Sequence, residues 1–156
     1  MLQVNRLTIT NIKEGRVLIK DLSFVVNLGE RIALIGEEGN GKSTLLKYLM
    51  DLPLPGFETE GTKSLDGPVG YLEQDLRLRW GNTNVLDYFL LDEPNGTIED
   101  YNLLGKIPAY LEKARFPRAS YKEEKSLSEF SGGELVRLAL AKLQLRDYRT
   151  ILLDEP

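Results

Sequence analysis

The stretch Arg31-Ile32-Ala33-Leu34-Ile35-Gly36-Glu37-Glu38-Gly39-Asn40-Gly41-Lys42-Ser43-Thr44-Leu45-Leu46 constrains this chain more than any other, because it joins an apolar run, a glycine-rich loop and a helix start. Gly36, Gly41, Lys42 and Ser43 stand in the register G-x-x-x-x-G-K-[ST], the phosphate-loop pattern. Glycines lack Cβ, so the backbone can take left-handed angles and turn its N–H groups, including those of Glu37, Glu38, Gly39 and Asn40, inward around a di- or triphosphate. Behind the loop, Leu45, Leu46, Leu49 and Met50 mark one buried helix face. The loop thus lies at a helix N-terminus, where free N–H groups and the helix dipole favour an anion. Arg31–Ile35 is apolar without alternation and predicts a parallel strand buried on both faces. In this pattern Lys42 reaches the β- and γ-phosphates, and the Ser43 hydroxyl holds a magnesium ion bridging them.

Composition narrows the chemistry further. Among 156 residues there is no cysteine and no histidine, which excludes disulfides, thiol catalysis and imidazole bases, so a metal must be held by oxygen atoms. The net charge of −4 gives no general attraction to nucleic acid. No apolar run approaches the ~20 residues that span a bilayer, and Met1–Arg6 is not organised as a signal peptide. The expected location is the cytoplasm, with no direct membrane insertion.

Ahead of the loop, Leu2, Val4, Leu7 and Ile9 alternate with polar neighbours, and Arg16–Ile19 and Leu22–Val26 form two further runs. Residues 1–30 therefore predict a small antiparallel sheet. Asp51–Gly56 stops the loop helix, residues 57–67 read as mixed and turn-rich, and Pro68–Leu72 reads as a short strand ending at Glu73-Gln74-Asp75. Ligands of open α/β sheets sit at the carboxyl ends of strands, which makes Gln74 a candidate to touch magnesium or water. Residues 31–75 form the expected phosphate-loop core.

Residues 82–146 predict an inserted helical subdomain. Val85–Leu91 is one helix, Thr97-Ile98-Glu99-Asp100 has the form of a capping box opening a second, Pro108 kinks or restarts it before Phe116-Pro117, and Tyr121–Lys125 is a solvated charged face. Ser131-Gly132-Gly133-Glu134 then opens a strong helix, Ser131 being the N-cap and Glu134 its capping-box partner. Its predicted exposed stripe is Glu134, Arg137, Ala141 and Gln144, leaving Leu135, Val136, Leu138, Leu140 and Leu143 for burial. Two glycines after a cap are costly for a helix, and close approach to a ligand accounts for them better than stability does. The chain finishes with Thr150–Leu153, an apolar strand, followed by Asp154-Glu155-Pro156 in residues 150–156. In a phosphate-loop protein, Asp154 holds magnesium through water and Glu155 orients or deprotonates the attacking water.

Together these residues resemble the ATP-binding cassette family. Gly36–Thr44 looks like its Walker A, Gln74 like its Q-loop, Phe130–Glu134 like its signature and Ile151–Glu155 like its Walker B strand with the catalytic glutamate. The resemblance implies an α/β fold with a P-loop NTPase core, a small antiparallel β subdomain and an inserted helical subdomain, incomplete at the C-terminus. It implies ATP and Mg2+ as cofactors. It also implies a head-to-tail sandwich with a second ABC domain, in which Ser131, Gly132, Gly133 and Glu134 of one copy cover the γ-phosphate held by the other. Leu90-Leu91-Asp92-Glu93-Pro94 repeats the terminal motif out of family order and is expected to be a helix end.

The sequence departs from the family in three places. The stretch where the family carries an adenine-stacking aromatic reads Ile12-Lys13-Glu14-Gly15-Arg16, and no aromatic precedes Phe24. Phe130 and Glu134 replace a leucine and a glutamine, and the Ser-Gly-Gly-Glu form is similar to the ABC-F subfamily, which acts on ribosomes. The family's D-loop and switch-histidine strand do not occur before Pro156, and the expectation is a piece of a longer protein. Three functions follow: an ABC-F ATPase whose partner is the ribosome, an ATPase subunit docked on a transmembrane transporter subunit, or a non-catalytic nucleotide-binding module.

Overall fold

A computed structural model describes residues 1–92, 94, 96–98, 100–116 and 125–155. They form two compact units, one of Met1–Gly70 with Tyr148–Asp154 and one of Tyr71–Asp147 with Glu155.

In the first unit, β1 (Leu2–Asn11) is the centre of a three-stranded sheet, flanked by β2 (Arg16–Val26) and β3 (Phe57–Leu65), both antiparallel to it. The apolar positions of β1 change phase between Val4 and Leu7, yet Leu2, Val4, Leu7 and Ile9 are all buried. An irregularity in both ladders reconciles the two: Arg6 takes φ 48°, the register shifts there, and the buried face is recovered one residue later. The Arg6 N–H donates to Ser23 Oγ at 2.8 Å, so the displaced backbone group keeps a partner. The two runs expected after the first turn are a single strand, β2. β3 was not expected. Its sequence FETEGTKSL shows little apolar alternation because most of its side chains are exposed, and backbone pairing to β1 defines it instead.

α1 (Lys42–Leu49) buries Leu45, Leu46 and Leu49 and has Gly41 as its N-cap at φ 84°. Lys63 of β3 donates to the carbonyls of Tyr48 and Leu49 at the other end of this helix, where a cation is favoured. β5 (Thr150–Leu153) lies in a two-stranded sheet with β4 (Val69–Leu72), whose first two residues belong to this unit.

The expected strand Arg31–Ile35 is absent. Residues 30–37 carry no regular structure, and Ile35 is 95% exposed. No strand among the described residues pairs with this stretch, and an extended segment without a ladder partner leaves its N–H and C=O groups to water.

The second unit has one apolar cluster. α2 (Leu76–Trp80), α3 (Val85–Leu90), α4 (Ile107–Lys113) and α5 (Gly132–Leu145) supply most of it, with Phe89, Ile107, Leu111 and Leu138 fully buried. Trp80 meets Tyr88 edge-on at 5.0 Å. Pro108 sits in the first turn of α4, so it restarts a helix, where its missing N–H costs nothing. The capping box expected at Thr97 is not a helix start: Thr97 and Ile98 are irregular, Glu99 lies outside the described residues, and Asp100 caps a 3-10 turn at Tyr101–Leu103 instead. Of the expected charged face Tyr121–Lys125, only Lys125 is described.

Along α5 the expected stripes need correction. Ala141 is buried, Val136 and Leu140 are exposed, and Lys142 is buried at 6% exposure. Leu135, Leu138, Lys142 and Leu145 follow the three-and-four spacing of one helix face, so geometry places a lysine in the middle of the apolar side.

Candidate functional site

The loop after residue 35 turns through Gly39 at φ 79° and Gly41 at φ 84°, conformations that favour glycine and aim successive N–H groups to one side. Gly41 is also closely covered: a Cβ there would lie 3.1 Å from Leu18 Cβ of β2. Lys42 Nζ donates to the carbonyls of Gly36 at 2.8 Å and Glu37 at 2.9 Å, folding back across the loop it serves.

Ser43, in the first turn of α1, donates its hydroxyl to Asp154 Oδ1 at 2.9 Å across 111 residues of sequence. Asp154 follows β5 and is 4% exposed. A hydroxyl and a carboxylate held side by side are hard oxygen donors of the kind that suit magnesium, and the chain has neither cysteine nor histidine. No group of three or more His, Cys, Asp or Glu side chains able to hold a metal occurs among the described residues.

In the second unit, Gln74 Nε2 donates to Glu155 Oε2 at 2.8 Å, joining two residues 81 positions apart. Glu155 takes φ 49°, a left-handed conformation uncommon for a glutamate and more frequent at functional positions. Next to Gln74, Glu73 is held at 3.1 Å from Arg79, and burial raises its carboxyl above the ordinary value despite that cation.

Ser131 caps α5 as expected. Its backbone N–H and its hydroxyl both donate to Glu134 Oε2, at 2.8 and 2.6 Å, and the Glu134 N–H donates back to Ser131 Oγ. These bonds hold the Glu134 carboxyl below its ordinary value. Arg77 of α2 donates to the Phe130 carbonyl at 2.7 Å and so fixes the residue that precedes the cap. Sequence reasoning missed this contact and α2 itself. Asp75, which accepts from the Arg77 N–H, was the available signal for a helix start. Gln74, Asp75, Arg77, Gly132 and Val136 line one cleft of about 280 Å³.

The repeated motif at Leu90–Pro94 ends α3, as expected. Lys142 donates to the Leu91 carbonyl, Arg146 donates to those of Phe89 and Leu90, and Asp92 pairs with Arg146. Asp92 therefore closes a helix end, while Glu93 lies outside the described residues.

The sequence matches the family described as ABC transporter over residues 19–156. It is 37% identical over its whole length to the ATP-binding protein YdiF of Bacillus subtilis, covering 23% of that protein. Over 90% of its length it is 34% identical to the energy-dependent translational throttle protein EttA of Haemophilus influenzae, covering 24% of it. The chain thus spans about a quarter of the length of these curated relatives. Among solved structures, cbiO1 from Clostridium perfringens, part of the ABC transporter complex cbiONQ, superposes with a TM-score of 0.66 at 20% identity, covering 99% of this chain and 65% of that one.

Proposed function

We infer, from the premise that this chain belongs to the ABC transporter family, that it binds magnesium–ATP on the loop Gly36–Thr44 and hydrolyses it. The observation that carries this reading is the bond from Ser43 to Asp154, which joins the end of the phosphate loop to the first acid after β5. Ser43 and Asp154 would hold magnesium, which would offset the charge that develops on the phosphates. The protein's own groups do the rest. The N–H groups of residues 37–44 and the Lys42 ammonium orient the phosphates. Ser43 and Asp154 supply oxygen ligands, Gln74 a polar amide, and Glu155 accepts the proton of the attacking water. Ser131, Gly132, Gly133 and Glu134 of a second domain close over the γ-phosphate in a head-to-tail pair.

Lys42 must exchange its two loop carbonyls for phosphate oxygens, a stronger charge-assisted contact. Lys42→Ala in the full-length protein is therefore expected to weaken magnesium–ATP binding at least ten-fold by calorimetry. Unchanged affinity would remove the phosphate-loop reading. Glu155→Gln is expected to keep binding and lose turnover by roughly 10²-fold or more, the scale of a general base. If that variant hydrolyses ATP at the parent rate, another group handles the water.

We further propose an ABC-F-like protein that acts on ribosomes in the cytoplasm. Support comes from the Ser-Gly-Gly-Glu signature and from the similarity to a relative named as a translational throttle protein. Glu155→Gln should trap the ATP-bound form and co-sediment with purified ribosomes only when ATP is present. Absence of co-sedimentation, with ATP binding intact, would favour the ATPase subunit of a transporter.

A further inference from the structure

The phosphate loop carries two acids, Glu37 and Glu38, against one loop cation, Lys42, which is a poor balance for a ligand with three or four negative charges. A second cation stands beside the loop on a different element. Arg16 opens β2, and its Nη2 donates to Asn40 Oδ1 at 3.1 Å. Its start is brought there by packing that does not depend on Arg16, because Leu18 and Ile19 of the same strand close over Gly41. The turn from β1 to β2 carries a second cation, Lys13, and this one leans away: its Cε is the group a Cβ at Gly56 would meet. Arg16 itself is exposed, and among the described residues its guanidinium is held by a neutral amide rather than a carboxylate.

We propose that Arg16 is the second cation of the nucleotide site, poised on Asn40 to bind the phosphate chain. This rests on the phosphate-loop reading above and assigns the site a residue from outside its motif. A guanidinium has five donors in a planar fork. One can remain on Asn40 while others take phosphate oxygens, so binding requires little reorganisation. Asn40, a side chain that the loop pattern leaves unspecified, becomes the positioning residue for this contact.

The test uses the full-length protein with three magnesium-bound probes: ATP, ADP and inorganic tripolyphosphate. Arg16→Ala is expected to lower affinity for all three by roughly ten-fold, the scale of one lost charge-assisted contact. Arg16→Lys should recover part of that loss, since it keeps the charge but not the fork. The melting temperature without nucleotide should not move, because the side chain is exposed. Loss for ATP and ADP with tripolyphosphate unaffected would overturn the phosphate assignment in favour of contact with the nucleoside. Unchanged affinity in Arg16→Ala alongside lost affinity in Lys42→Ala would overturn the proposal and leave the phosphate loop standing. Unchanged affinity in both would remove the phosphate-loop reading as well.

Discussion

Lys142 shows how one residue ties the chemistry of the second unit together. Its ammonium lies 4.2 Å from the Trp80 ring centre and 4.3 Å from that of Tyr88, and donates to the Leu91 carbonyl at 2.8 Å. Those contacts favour the charged form. Burial opposes it and dominates, pushing the pKa from 10.5 down to about 7, with Arg146 and Arg79 acting in the same direction and Asp92 and Glu73 against it. Between about 7 and 10.5 the unfolded chain therefore binds more protons than the folded one, so stability rises with pH across that window and the cost is fully present below it. Its scale is a few kcal/mol at about 1.4 kcal/mol per pKa unit. Lys142→Met keeps the length of the side chain and removes the titration. Urea unfolding at pH 7 and pH 9.5 should show the parent protein gaining stability over this interval and the variant changing less; equal pH slopes would show that Lys142 does not titrate there.

Elements differ in how far their own residues announce them. The helix at Gly132–Leu145 was legible because Ser131 and Glu134 form a local reciprocal cap, and because a 14-residue helix gives its periodicity room to emerge. α3 was legible as the apolar run Val85–Leu91, and the kink or restart expected at Pro108 is the start of α4. α2 was not: in Leu-Arg-Leu-Arg-Trp the apolar residues alternate with arginines as in a strand, and five residues are too few to display the helical period. β3 was hidden because its stability comes from pairing with β1 rather than from burying its side chains. Its clearest marker is Gly61, at φ 104°, where a Cβ would lie 2.6 Å from the Arg6 carbonyl oxygen and 2.7 Å from that of Asn5. Gly61→Ala is expected to destabilise the protein by about 2 kcal/mol or more, combining backbone strain with a clash against backbone that cannot move cheaply. Gly15→Ala provides the comparison, since Gly15 has φ 61° but nothing within 4 Å of its Cβ position. Denaturant midpoints should fall further for Gly61→Ala, and equal shifts would mean that the close approach contributes nothing beyond φ. The motifs singled out Lys42, Ser43, Gln74, Asp154 and Glu155 as candidates, but the pairings Ser43–Asp154 and Gln74–Glu155 required the fold.

At the scale of the whole molecule, apolar surface decides how the 156-residue chain behaves by itself. The second unit gathers its buried apolar residues in one cluster, although Leu78 and Tyr101 stay exposed, and the first unit leaves Leu28, Ile32, Leu34, Ile35, Ile151 and Leu153 exposed. Ile35 and Leu28 are 95% and 85% exposed, far from the partial burial at which a surface aliphatic residue needs no account. Residues 31–35 also have no ladder among the described residues, so their backbone groups are open to pairing by any extended chain that reaches them. Apolar side chains and unpaired backbone on one short stretch are the two ingredients of strand addition between molecules. The 156-residue chain is therefore expected to self-associate at micromolar concentration and to bind a hydrophobic dye. Replacing Ile32 and Ile35 by Lys should reduce both association and dye binding, because charge on an open edge opposes pairing. Sedimentation velocity distinguishes the outcomes: a monomeric chain that melts cooperatively and ignores the dye would show that this surface is satisfied within the chain.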